Sequence, residues 1–276
     1  CKKKINTNNI CISGGVALNC VANNIIKDSK IFNNVYINPG ASDTGIPLGG
    51  VYYGYFNFYK KAKKRITASP YLGLSYSNKE IENSLNLLKH KKNIKIHKDK
   101  NLKKTLKILL QNKAVGFFQG RSETGPRALG NRSILMSPLK ENNRYVLNKK
   151  IKLREEFRPF APIILEEKVS NFFNFSGNSP YMLYACKVKK EKKKLIPAVV
   201  HLDNTSRIQT ITSSSNKRLY NLLKMFEKKT KVPVLINTSF NKRNEPIVET
   251  PDHAINSFLN TKIDALFLQD YLIEKV

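Results

Sequence analysis

At 276 residues, with 41% hydrophobic and 25% charged residues, the chain can bury a core in one large or two ordinary domains, and no apolar run reaches the roughly 20 residues of a transmembrane helix. A disordered tail and a membrane partner are therefore set aside, while four cysteines (Cys1, Cys11, Cys20, Cys186) without C-x-x-C spacing or a pairing pattern exclude a zinc ribbon and a secreted disulfide framework and fit a reducing, cytoplasmic location. The net charge of +29 raises nucleic acid as a partner, but it rests on 39 Lys against 10 Arg, and a drift of composition toward Lys, Asn and Ile accounts for it more cheaply than a recognition surface does.

The chain starts at Cys1 and is already strand-like by Ile10, which reads as a piece cut inside a domain. Asn9 to Ser13 is apolar, Gly14 and Gly15 make a turn, Val16 to Lys27 has helical periodicity and Asn34 to Ile37 is extended again, an α/β unit. A polar loop from Pro39 to Gly45 carries Asp43, and a Gly- and Tyr-rich helix follows over Ile46 to Lys61. From Lys60 to Lys100 the chain turns basic, with Lys60 to Lys64 and Lys91 to Lys100 as solvated runs, and Ser77 and Glu80 have the spacing of a capping box before a short helix to Lys89. This stretch reads as a connection, giving a first unit over 1–68, a connection over 69–100 and a second domain over 101–276.

In that second domain Leu102 to Gln111 predicts an amphipathic helix, Ala114 to Gln119 a buried strand and Arg144 to Ile151 a helix. Pro162 to Leu165, Tyr181 to Val188, Arg207 to Ile211 and Val232 to Ile236 predict strands; Leu219 to Lys228 and Pro251 to Asn260 predict helices. The class is mixed α/β, with no internal repeat.

Five segments carry chemistry. Gly14 and Gly15 between strand and helix let a backbone approach a phosphate, although such a turn alone more often only redirects the chain. Asp43 can ligate a cation, yet alone it reads as a helix cap, since His90, His97, His201 and His253 are dispersed. Six of the ten arginines fall within Arg121 to Arg158. The run Gln119 to Ser133 places Arg121, Arg127 and Arg132 among glycines after a strand, where fixed positive forks suit a phosphate or a planar carbamoyl group; a merely structural loop has no need of so many like charges. Lys152 and Arg154, with Arg158 close behind, read as a second cationic cluster on a strand, sharing one face by the period of two, among Phe157, Pro159 and Phe160. Asn237 to Asn241 offers polar side chains at a strand end, a natural phosphate or ribose contact that in isolation is more often a turn.

Taken in order, G-G-V-A-L-N-C at Gly14 to Cys20, S-D-T-G at Ser42 to Gly45, F-Q-G-R-S-E-T-G-P-R-A-L-G-N-R-S at Phe118 to Ser133, K-L-R-E-E-F-R-P-F-A-P at Lys152 to Pro162 and V-L-I-N-T-S-F-N at Val234 to Asn241 resemble the nodulation-protein and antibiotic O-carbamoyltransferase family over nearly the whole chain. The resemblance implies a YrdC-like mixed α/β domain preceded by a truncated actin-like α/β lobe. It also implies ATP with Mg2+ and carbamoyl phosphate as substrates, a carbamoyl-adenylate intermediate and transfer of the carbamoyl group to a hydroxyl of a sugar or natural product. By position, Lys152 and Arg154 resemble the K-x-R pair of YrdC-like domains and Ser239 and Asn241 their S-x-N pair. The resemblance makes Lys152, Arg154, Arg127 and Arg132 the catalytic set, with Arg121, Arg158 and Arg207 binding nucleotide and carbamoyl phosphate, and Gly14, Gly15 and Asn19 as the nucleotide-facing turn of the acceptor lobe. Asp43 resembles a metal-binding aspartate for Fe2+ or a similar divalent ion, but the family's H-x-x-x-H pair is missing here, so tight metal binding and complete transfer to an alcohol are not expected of this chain. A threonylcarbamoyl-AMP synthase-like enzyme or tRNA-binding module is the alternative, and a homodimer is the candidate assembly.

Overall fold

The computed structural model describes residues 5–59, 69–100 and 102–276. Cys1, the Lys60 to Lys64 run and the last residues of the helix expected to Lys61 lie outside them.

The opening segment folds in the expected order. β1 (Asn9–Ile12) and α1 (Cys20–Asp28) are followed by β2 (Asn34–Ile37), which pairs in parallel with β1. The single helix expected from Val16 is instead split in two. A 3₁₀ turn over Gly15–Leu18 ends at Asn19, whose Oδ1 accepts the N–H groups of Val21 and Ala22 at 3.1 Å each and starts α1 afresh; an Asn side chain satisfies the free donors of a helix start better than continued helix does. A second 3₁₀ turn, Asp43–Gly45, leads into α2 (Ile46–Phe58).

α3 (Asn78–Leu85) begins at the predicted capping box, with Ser77 Oγ accepting from Glu80 N and the Glu80 carboxylate accepting from Ser77 N. β3 (Ile94–Lys98) then joins the edge of a large sheet. The stretch read as a connection is thus built into the second unit: β3 pairs with the strand at Tyr271–Lys275 and the coil before α3 exchanges backbone hydrogen bonds with the arginine segment. Its Lys-rich composition hides this, because an edge strand tolerates charge that a central strand does not.

After α4 (Lys103–Leu110) come β4 (Val115–Phe118), β5 (Arg132–Met136), α5 (Asn142–Tyr145), β6 (Ala161–Leu165), α6 (Val169–Phe172), β7 (Tyr184–Lys187) and β8 (Thr205–Ile211). α7 (Lys217–Thr230), β9 (Val234–Ser239), α8 (Pro251–Leu259), β10 (Ala265–Leu268) and β11 (Tyr271–Lys275) complete the chain. The nine strands from β3 onward form one mixed sheet in the order β3-β11-β10-β4-β5-β9-β6-β8-β7, parallel at β4–β10 and β6–β8 and antiparallel elsewhere. The mixed α/β class holds.

The period of two sorts its core. Val115, Phe117, Ile163, Leu165, Leu235 and Phe267 face α4 and α7, whereas Phe118, Ile164, Ile236, Leu266 and Leu268 face α8 and α3. At about 25 cal/mol per Å2 of apolar surface removed from water, two filled faces outweigh the local preferences of any one strand.

Lys152 and Arg154 do not lie on a strand. α5 runs on through π-helical turns over Val146–Ile151, Lys152 caps them, and Leu153 takes a left-handed φ of 51°. The Lys152 and Arg154 N–H groups donate back to Leu147 O and Asn148 O at 2.8 and 2.9 Å. The alternation Lys-Leu-Arg imitates a strand, but here it is a helix end that reverses at Leu153.

The opening segment docks on the sheet edge. Asn23 of α1 is buried and its Nδ2 donates to Ala17 O at 2.8 Å and Leu183 O at 3.0 Å, while Ala17, Ile37 and Ala41 pack with Leu183. Gly125 meets Pro39 from the other side: its φ is 102°, and a Cβ there would lie 2.6 Å from Pro39 O. Only glycine allows this approach.

Candidate functional site

The late polar strand end and the helix end meet at Lys152. Its buried Nζ donates to Ser239 Oγ (3.1 Å), Ser239 O (2.8 Å), Asn241 Oδ1 (2.6 Å) and Asn241 O (2.7 Å), and Ser239 Oγ donates to Asn241 Oδ1 at 2.7 Å. β9 extends through Ser239 rather than stopping at Ile236, because it pairs with β5 on one side, Ser133 opposite Ser239. Burial, reinforced by the charge of Arg154, pushes the Lys152 ammonium down to about 7.

Beside this cluster a pocket of about 100 Å3 is lined by Arg127, Arg154, Arg207, Ser239, Asn237 and Phe160 among others. Three guanidiniums converge here from the arginine loop, the helix end and β8, and among the described residues none of the three forms an ion pair with a carboxylate. The Nε atoms of Arg127 and Arg207 are buried and have no hydrogen-bond partner among the described residues. Arg154 donates from Nε to Asn148 Oδ1 at 2.7 Å and stacks over Phe160 at 4.7 Å. Burial lowers all three pKa values. Arg154 falls to about 10 with help from Arg158, and Arg207 to about 10 with help from Arg127 and Arg154. Like charges held together out of water are stable only if an anion completes the site, and rigid bidentate forks favour phosphate or carboxylate.

Other expected residues sit elsewhere. Arg132 is 1% exposed; its Nη1 donates to the carbonyls of Gln119, Gly120 and Asn131, its Nη2 to Leu74 O, and its plane lies 3.7 Å over Phe118. It braces the loop from within and does not line the pocket. Arg121 is exposed and donates to Leu72 O at 2.9 Å, while Arg158 pairs with Glu155 at 2.9 Å on the surface. Gly14, with φ of 93°, and Gly15 have open space where a Cβ would go, so neither is shaped around a neighbouring group, and Asn19 caps α1. Asp43 is exposed, and no group of three or more His, Cys, Asp or Glu side chains able to hold a metal ion occurs among the described residues.

Three participants are not among the candidate residues that the motifs single out. Glu123 holds the arginine loop closed, its Oε1 accepting the N–H groups of Leu129 (2.6 Å) and Asn131 (2.8 Å), and burial raises its pKa against those hydrogen bonds. Asn148 fixes Arg154 from six residues away. Cys20, at the start of α1, is close enough to Arg127 and Arg207 to offset part of the depression of both. A single glutamate among three arginines hints at the brace, and Cys20 closes the G-G-V-A-L-N-C run; nothing local signals Asn148.

Comparison with known proteins gives the same grouping. Residues 106–275 match the family model described as carbamoyltransferase C-terminus, and residues 1–51 match carbamoyltransferase N-terminus. Among curated proteins, an uncharacterized protein of Synechocystis sp. is 39% identical over 99% of the chain and 48% of its own length. Nodulation protein NolO of Bradyrhizobium diazoefficiens is 34% identical over 99% of the chain and 50% of its own length, and Nodulation protein U of Sinorhizobium fredii is 35% identical over 84% and 39%. The chain spans about half the length of the curated relatives it matches. The solved structure of full-length HypF in the phosphate- and nucleotide-bound form aligns with 63% of the chain and 22% of its own, at 18% identity and a TM-score of 0.43, too low to assign a shared fold. With one family model covering well over half of its residues and a second covering its opening, the chain belongs to the carbamoyltransferase family.

Proposed function

We propose that the chain carries the carbamoyl-activating site of an O-carbamoyltransferase, using ATP with Mg2+ and carbamoyl phosphate, and that in the whole protein the carbamoyl group passes to a hydroxyl of a sugar or natural product. The observation that carries the reading is the convergence of Arg127, Arg154 and Arg207 on one small pocket, without carboxylate partners among the described residues, next to the buried Lys152. Water attacks the carbonyl carbon of carbamoyl phosphate and displaces phosphate to leave carbamate, an oxygen of the carbamate attacks the α-phosphorus of ATP, and pyrophosphate leaves. Carbamate is a poor electrophile; its mixed anhydride with AMP gives an alcohol a good leaving group to displace. In this scheme the three guanidiniums hold the phosphoryl oxygens and offset charge that builds as the bond to pyrophosphate breaks. Lys152 supplies a further positive charge whose position is fixed by Ser239 and Asn241.

The test is exchange of labelled pyrophosphate into ATP by the purified chain. Exchange that requires carbamoyl phosphate, and that falls at least about 100-fold in Lys152→Ala, is expected for a fixed positive charge set beside the developing one. Exchange driven by threonine and bicarbonate instead, or none at all, would overturn the proposal.

A further inference from the structure

Among the cations of the arginine pocket sits one group of the opposite kind. Asn237 lies on β9 two residues before Ser239, so the alternation of the strand puts both side chains on one face, and both line the pocket. Asn237 is 1% exposed, and its Oδ1 is buried with no hydrogen-bond partner among the described residues. Turning the amide over does not help. Its Nδ2 donates to Gln209 Oε1 at 2.7 Å and to Ala128 O at 3.2 Å, and Gln209 is itself fixed because its Nε2 donates to Leu129 O at 2.9 Å. These carbonyl acceptors assign nitrogen and oxygen in both amides and leave Asn237 Oδ1 as the unmatched acceptor.

A buried acceptor left without a donor is costly, so its presence in a ligand pocket says what the ligand brings. Phosphate and carboxylate oxygens are acceptors themselves and gain nothing from Oδ1. The group that completes it is an N–H on the same small ligand whose oxygens the guanidiniums hold, and a pocket of about 100 Å3 leaves the two ends of that ligand close together. We infer that Asn237 is the specificity-determining residue of this pocket: its Oδ1 accepts a hydrogen bond from the carbamoyl nitrogen, and the site thereby discriminates against acyl phosphates that carry a carbon in place of that nitrogen. This rests on the carbamoyl phosphate reading proposed above. It adds a selectivity that Arg127, Arg154 and Arg207 do not supply, since they grip the phosphoryl end of either kind of acyl phosphate alike.

Carbamoylphosphonate and acetylphosphonate share a carbonyl and a phosphonate and differ only in NH2 against CH3, and calorimetric titration of the purified chain with each, at a pH where both are dianions, isolates that difference. Carbamoylphosphonate is expected to bind at least about ten-fold more tightly, because acetylphosphonate leaves Oδ1 unpaired. Asn237→Ala should bring the ratio of the two affinities to about one, whatever it does to the affinity they share. Asn237→Asp keeps an acceptor oxygen at this place, so its charge should weaken both ligands and preserve the preference. A residue that only supports the pocket would move both ligands together and leave the ratio alone. Equal affinities in the unaltered chain, a preference that survives Asn237→Ala, or one that is lost in Asn237→Asp would overturn the inference while leaving the arginine pocket as an anion site. If neither phosphonate binds, the carbamoyl phosphate reading itself falls, and the role of Asn237 falls with it.

Discussion

Lys152 places two opposite demands on one atom. Four oxygens around its Nζ favour the ammonium, while burial and Arg154 disfavour it and bring its pKa to about 7. Below that pH the group is charged and above it neutral, so affinity for inorganic phosphate should be greatest below 7 and fall roughly ten-fold by pH 9. Stability should move the other way. The unfolded chain binds this proton up to about pH 10.4, the folded chain only to about 7, so the cost of charging Lys152 is largest below 7 and is relieved as pH rises through that window. Phosphate titrations and thermal melts at pH 6 and 9 check both signs, and Lys152→Met should flatten both dependences. Arg132 shows why residue type alone does not assign a role. It belongs to the same run of sequence as Arg127, yet its guanidinium is taken up by four carbonyls and a phenyl ring.

The arginine loop is an element held at both ends. Glu123 gathers the N–H groups of Leu129 and Asn131, Arg132 gathers the carbonyls, and Ser122 and Thr124 hydrogen-bond to the coil before α3 through Leu74 O and Pro70 O. Gly125 lies between these anchors, in a conformation that disfavours any side chain and against a carbonyl that leaves no room for one. Gly125→Ala is expected to cost about 2 kcal/mol and to weaken phosphate binding, because the loop can relieve the contact with Pro39 only by moving Arg127. Thermal unfolding and phosphate titration of the variant test this; an unchanged melt with unchanged affinity would mean that the loop adapts freely.

At the scale of the molecule, a small α/β unit leans on the edge of a nine-stranded sheet, and the arginine pocket lies where Cys20 of the one comes near Arg127 and Arg207 of the other. Asn23 is the polar pin of that junction. Asn23→Ala removes two buried hydrogen bonds and leaves the Leu183 carbonyl without this donor, a loss of about 2 kcal/mol. Hydrogen exchange should then quicken in β1, α1 and β2 while protection in β4, β9 and β10 persists, since the nine-stranded sheet has its own two cores.

Much of this was legible in the sequence, because period and capping are local properties. The capping box at Ser77, β2, β6, β8, α7 and α8 follow from spacing alone, and the meeting of Lys152 with Ser239 and Asn241 follows from the family resemblance. What spacing cannot carry is direction and depth. Whether Lys-Leu-Arg continues a strand or ends a helix turns on the φ of Leu153, and whether an arginine faces a pocket or the core depends on which carbonyls lie nearby after folding. By itself, then, the sequence determined the mixed α/β class, most elements and the chemistry available, since these depend on residues a few positions apart. Tertiary structure alone decided that Arg207 joins Arg127 and Arg154 while Arg121, Arg132 and Arg158 do not, because electrostatic and steric selection act between groups some 80 residues apart in the chain that packing makes neighbours.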